Sequence, residues 1–218
     1  TIASGDLMRL LLLTFCFAFA GTAAAQPAAL PAAGTLSVGA SGNRVAGSGK
    51  TVSEVRTPGA FSAVKITGPI DVELRASERE QVSVHFDDNL LGVVETRVSG
   101  DATPTLEIRL QPGASFRSAD NPKVTVEFKS ISALGVTSSG DVHADAIRGK
   151  LLAVSISGSG DVKIDRLDVE VLGVSIAGSG DFTATGRAAE QGFSIAGSGD
   201  IHADNLVGQT VKVRIARN

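Results

Sequence analysis

The chain has 218 residues and a formal net charge of −3, so it carries no basic field that would hold nucleic acid or anionic lipid. An apolar fraction of 43%, with 25 glycines against 7 prolines, argues for a packed core with many tight corners and against disorder. Trp and Tyr are absent, so any glycan site must rely on Phe and hydrogen bonds.

In chain order, the first feature is a targeting segment. Met8-Arg9 opens an apolar run from Leu10 to Ala20, and Ala23-Ala24-Ala25 stands just before Gln26. A positive start, a short apolar stretch and an A-x-A exit form a secretory signal peptide. Residues 1–25 are therefore read as the signal with its upstream residues, cleaved after Ala25. The run is too short for a stable membrane span, so the mature chain is expected not to insert in a membrane. Cys16, the single cysteine, lies inside that run without the pattern of a lipoprotein signal, which leaves the mature chain no thiol for a disulfide or metal.

Residues 26–58 are rich in Ala, Gly and Ser with little periodicity and read as a flexible leader. Within them, Gly47-Ser48-Gly49-Lys50-Thr51 has the ending of a phosphate-binding loop. The full motif needs a glycine five places before Gly49, where Arg44 stands, and no strand-loop-helix context surrounds it. It is read as a plain loop.

From residue 59 onward the pattern is that of short strands. Ile66-Thr67-Gly68-Pro69-Ile70-Asp71-Val72-Glu73-Leu74 has apolar and polar residues in alternation on both sides of a glycine corner. Further alternating strands are predicted at Val82–Phe86, Thr105–Leu110 and Lys123–Phe128. Four related segments follow: LGVTSSGDVHAD (134–145), VSISGSGDVKID (154–165), VSIAGSGDFTAT (174–185) and FSIAGSGDIHAD (193–204). Their corner aspartates are Asp141, Asp161, Asp181 and Asp200, in steps of 20, 20 and 19 residues.

In one unit, Val154, Ile156, Val162 and Ile164 are apolar with polar residues between them, which implies two strands with one buried face. The corner glycines Gly140, Gly158, Gly160, Gly178, Gly180, Gly197 and Gly199 suit sharp turns. Stacking would align Val142, Val162, Phe182 and Ile201 in one interior ladder and Ala144, Ile164, Ala184 and Ala203 in another. The expected fold is all-β: a single-stranded parallel β-helix, or β-solenoid, right-handed, with coils of about 20 residues after the signal peptide. It would occupy residues 59–218, with residues 60–130 as longer coils that start the stack. Val213-Arg214-Ile215-Ala216 matches Phe193-Ser194-Ile195-Ala196 without a following Gly-Ser-Gly-Asp, so the domain is expected to be C-terminally truncated.

The repeated Ile-Ser/Ala-Gly-Ser-Gly-Asp units behind a signal peptide resemble the bacterial family described as putative auto-transporter adhesin, head GIN domain. Residues 47–74 and 85–98 also resemble that family's N-terminal half. The resemblance implies a β-helix fold and an exported location, in the periplasm or on the surface of a Gram-negative bacterium. Its name suggests an adhesin.

Candidate sites are few. Ser159, Ser179 and Ser198 lie between glycines but lack the Gly-x-Ser-x-Gly elbow, and a nucleophile is needed once, not in every unit. Asp141-x-His143-x-Asp145 and Asp200-x-His202-x-Asp204 place metal-ligand types on one strand face, but His143 and His202 are three units apart, roughly 14 Å. His85 has no partner pattern. The column Asp141, Asp161, Asp181 and Asp200 is the candidate for calcium, although capping of backbone N–H groups at the corners is the favoured role.

No catalytic residue and no cofactor is assigned. The expected function is an exported cell-envelope binding or structural module, adhesin-like and without catalytic activity, with an envelope or surface polymer or protein as partner and homo-oligomers conceivable. The alternative is a β-helix enzyme acting on polysaccharide, a lyase or hydrolase, to which Glu95, Arg97 and Arg109 of the irregular half could contribute, although no spacing singles them out.

Overall fold

The computed structural model describes residues 44–216. They form seventeen strands, one short 3-10 turn at Leu91–Val93 and no α-helix. In chain order the strands are β1 (Val45–Ala46), β2 (Thr51–Arg56), β3 (Ala63–Thr67), β4 (Asp71–Ala76), β5 (Gln81–Asp87), β6 (Val94–Ser99), β7 (Thr105–Leu110), β8 (Phe116–Arg117) and β9 (Lys123–Phe128). They continue as β10 (Ala133–Thr137), β11 (Val142–Ala144), β12 (Ile147–Ile156), β13 (Val162–Ile176), β14 (Phe182–Ala196), β15 (Ile201–His202), β16 (Leu206–Val207) and β17 (Thr210–Ala216).

Fifteen of them make one sheet in the order β2-β5-β9-β4-β11-β13-β12-β10-β3-β7-β6, with β14 on β13 and with β15, β16 and β17 on β14. The sheet is mixed and curls into a half-barrel. This overturns the expectation of a single-stranded parallel β-helix. β5 runs antiparallel to both β2 and β9, and β6 runs antiparallel to β7. For β6 and β7 the reason is the length of the connection: they are neighbours in the sheet and only five residues separate them. Neighbours joined by so short a link pair antiparallel, whereas a full parallel return needs a dozen residues or more. At this reversal Gly100 has φ of 92°, a left-handed conformation that favours glycine. Alternation reports which face a side chain occupies and says nothing of strand direction.

Within this sheet, residues about 20 positions apart in the last third of the chain are parallel neighbours. Val142 pairs with Val162, Val162 with Phe182, and Phe182 with Ile201. The column continues backward through Val72 to Val124. Val72, Val124, Val142, Val162 and Phe182 are all buried. A second column runs Ile66, Val136, Ile156, Ile176, Ile195 and Ile215. The alternating pattern thus identified the buried face, and one continuous apolar core fills the concave side.

Two further expectations need amending. The flexible leader expected over residues 26–58 does not extend through their described part, where Val45–Ala46 and Thr51–Arg56 are strands, the second paired along its length with β5. Of the corner glycines, only Gly158 and Gly197 have positive φ, both 154°. The others are required for closeness of packing. A Cβ on Gly160 would lie 2.2 Å from the carbonyl oxygen of Gly140, and one on Gly180 would lie 2.3 Å from that of Gly160. Ser138 takes the place of the first glycine because its hydroxyl bonds the Gly68 carbonyl and accepts from the Gly140 N–H. The signal peptide, residues 1–25, and Cys16 lie outside the described residues.

Candidate functional site

The side chains between the buried columns form a polar outer face. One row crosses seven strands as Ser83, Thr125, Glu73, His143, Lys163, Thr183 and His202, each beside the next in register. All of them are half-buried or exposed. Alternation at period two puts them there: their strand neighbours Val72, Val142, Val162 and Phe182 point inward.

Beside this row stands the aspartate column. Each carboxylate accepts the backbone N–H of its successor: Asp141 N–H donates to Asp71 Oδ1 at 3.2 Å, and Asp161 N–H to Asp141 Oδ1 at 3.2 Å. Asp181 N–H donates to Asp161 Oδ1 at 2.9 Å, and Asp200 N–H to Asp181 Oδ1 at 2.8 Å. The N–H groups relieve the repulsion of like charges stacked at strand spacing. Among the described residues, no three acidic, His or Cys side chains gather where they could hold a metal ion.

His143 does find a partner, one row along. Its Nε2 lies 2.7 Å from Asp165 Oδ2, and Lys163 Nζ lies 3.3 Å from Asp165 Oδ1. The hydrogen bond to His143, aided by Lys163, holds the Asp165 carboxyl below the ordinary carboxylate range. His202 sits two rungs beyond Lys163, too far to share a ligand with His143. His85, for which the sequence offered no partner, has its Nδ1 2.8 Å from Ser53 Oγ across the β2–β5 pair. Antiparallel pairing produces that contact, and no periodicity in the chain could signal it.

Residues 60–217 match the model of the family described as putative auto-transporter adhesin, head GIN domain. The chain belongs to this family. Solved structures of the same fold include a putative adhesin from Bacteroides fragilis, 20% identical with 79% of each chain covered and a TM-score of 0.75. A putative lipid binding protein from Parabacteroides distasonis is 22% identical, with 79% of this chain and 81% of that chain covered and a TM-score of 0.62. A putative adhesin from Parabacteroides distasonis is 26% identical over 80% of this chain and 82% of that chain, with a TM-score of 0.57. No curated protein matches. The family and these neighbours point to an exported or surface protein of adhesin type.

In this GIN-domain chain the remaining candidates are spent on local structure. Arg97 pairs with Glu107 at 2.7 Å and Arg109 with Glu95 at 2.8 Å, both across the β6–β7 pair. Burial pushes the Glu107 carboxyl up, but the hydrogen bonds from Arg97 and Ser99 outweigh it and the net shift is downward. These cross-strand pairs neutralise each other instead of converging on a groove. The Gly47–Thr51 loop is held by its own contacts: Ser48 Oγ donates to Asp88 Oδ1 at 2.6 Å, Ser48 N–H donates to Asn89 Oδ1, and Asn89 Nδ2 donates to the Ala46 carbonyl. The Ser48 hydrogen bond, with Lys50 nearby, lowers the Asp88 carboxyl. No helix follows the loop, so it lacks the dipole that a phosphate site uses. Ser139, Ser159, Ser179 and Ser198 are exposed corner residues beside the aspartate column.

Proposed function

We propose that the mature chain is an exported, non-catalytic binding module that meets an envelope or surface polymer or protein through its polar outer face. The single observation that carries this is the unbroken polar row from Ser83 to His202, flanked by the aspartate column. Such a row offers a polar, hydrogen-bonding side chain at every strand, which suits an extended partner. Family membership supports the reading. A polysaccharide lyase or hydrolase needs one convergent set of acids or bases, and Glu95, Arg97 and Arg109 are instead tied in cross-strand pairs.

The test is co-sedimentation of the purified chain from Gln26 onward with isolated Gram-negative envelopes and with extracted envelope polysaccharide. Retention of the wild type, weakened severalfold by the double change His143→Ala with Lys163→Glu, supports the module. Retention no greater than that of an unrelated acidic protein, or release of new reducing ends from the polysaccharide, overturns it.

A further inference from the structure

At the end of the half-barrel where β1 and β8 pair in parallel, a small two-stranded flap lies against the main sheet. It is anchored by Phe116, whose ring meets Phe86 edge-on with centroids 5.4 Å apart. Beside the flap is a cavity of about 630 Å³ lined by Gly47, Asp87, Arg117, Ser118, Asn121 and Lys123, among others. That volume lies in the range of small-molecule sites.

The cavity contains one of the few buried polar side chains among the described residues. Asp87 is only 6% exposed. Its Oδ2 accepts from Ser118 Oγ at 2.9 Å, whereas Oδ1 has no hydrogen-bond partner among the described residues. No fully buried side-chain oxygen or nitrogen there lacks a partner, so Oδ1 must open on the cavity. The backbone of Gly47 lies against the carboxylate so closely that a Cβ on it would sit 1.8 Å from Oδ2. A carboxylate this enclosed, with no cation paired to it among the described residues, takes its remaining hydrogen bonds from whatever enters the cavity.

The rim narrows what that donor is. Arg117 and Lys123 form no ion pair with a carboxylate among the described residues, and His85 lines the same cavity. Arg117 and Lys123 stand against Asp87 and Asp120 around the same cavity, so its lining carries both signs and no one-sided field that would select a ligand of a single charge. A neutral ligand rich in hydroxyls fits both. One hydroxyl donates to Asp87 Oδ1, and Arg117, Asn121 and Lys123 donate to ring and hydroxyl oxygens. We infer that the Asp87 cavity is a binding site for a neutral saccharide. The inference rests on the reading of the chain as a binding module and supplies a ligand class for it, at a cavity that adjoins the outer face through His85 and Lys123.

The experiment is NMR titration of the chain with maltose and lactose, beside glucosamine and glucuronate as charged comparators. Expected are shifts of the Asp87, Ser118 and Asn121 amides with the neutral sugars at millimolar concentration, weaker with both charged ones. Asp87→Asn should raise the apparent Kd about tenfold, the difference between a charged and a neutral acceptor. Arg117→Ala, at an exposed position, should weaken binding severalfold; Lys150→Ala, exposed on β12 and away from both sites, should leave it unchanged. Absence of shifts around the cavity, or equal affinity in Asp87→Asn and Arg117→Ala, overturns the inference. Loss of sugar binding with envelope retention intact removes this site alone. Sugar binding without envelope retention removes the broader reading and leaves the site.

Discussion

Arg56 on β2 donates from Nη1 to the carbonyl of Val94 on β6 at 2.5 Å, joining the two strands that end the sheet order from opposite sides. The same guanidinium donates from Nη2 to the Leu91 carbonyl at 3.1 Å and pairs through Nε with Glu54 at 2.6 Å. A planar fork with five donors can serve several fixed acceptors at once, which an ammonium cannot.

Arg56→Ala therefore removes charge-assisted hydrogen bonds from a side chain that is mostly covered. The expected loss is about 3 kcal/mol of stability, which lowers Tm by roughly 6–12 °C. Arg56→Lys should recover less than half of it. Thermal unfolding followed by circular dichroism measures both, and a Tm within a degree of wild type for the alanine variant would show that the ends of the sheet need no tie.

The glycine columns make a paired prediction. Gly160→Ala drives a methyl into the Gly140 carbonyl and should cost about 3 kcal/mol by forced separation of stacked backbones. Gly149→Ala on β12 meets nothing within 4 Å and should change stability by less than about 0.5 kcal/mol or raise it slightly. Denaturant midpoints of the two variants, measured side by side, test whether proximity is the reason for the corner glycines.

The aspartate column is predicted to work through its acceptors. Asp161→Ala leaves the Asp181 N–H without its carboxylate and should cost about 1 kcal/mol. Asp161→Asn keeps an acceptor oxygen, removes one charge from a like-charged column, and should cost less than half as much. Tm is expected to be the same in millimolar calcium and in EDTA; a rise of several degrees with calcium would restore the cation reading.

Asp165 carries a pH signature. Its carboxyl is held low by His143 and then Lys163, so the stability this contributes is present above the ordinary value of 3.8 and is lost as pH falls through the lowered value. His143→Ala should move the Asp165 carboxyl back up toward 3.8, read directly from the pH titration of its side-chain carbon by NMR. Salt at about 1 M should produce part of the same rise in the wild type, because the pair is exposed.

Much of the core was legible because burial on a strand has period two. Val72, Val142, Val162 and Phe182 could be placed inside, and Glu73, His143, Lys163 and Thr183 outside, from alternation alone. The aspartates Asp141, Asp161 and Asp181 were expected to cap N–H groups at their own corners, whereas the N–H each accepts belongs to the next aspartate of the column, 20, 20 and 19 residues on, which only strand pairing brings within reach.

What the chain determined by itself was thus a matter of neighbours: which side chains face the core, and that units 20 residues apart lie side by side, since both follow from local spacing. Strand direction, the curl of the mixed sheet, the Arg56 tie and the buried Asp87 were decided only in three dimensions. They depend on pairings such as Arg56 with Val82 and Asp71 with Lys123, between segments 26 and 52 positions apart that share no repeat. Hydrogen bonding between strands satisfies the backbone equally in either direction, so the short links and the packing of the core select the arrangement, and neither is written in the period of any one segment.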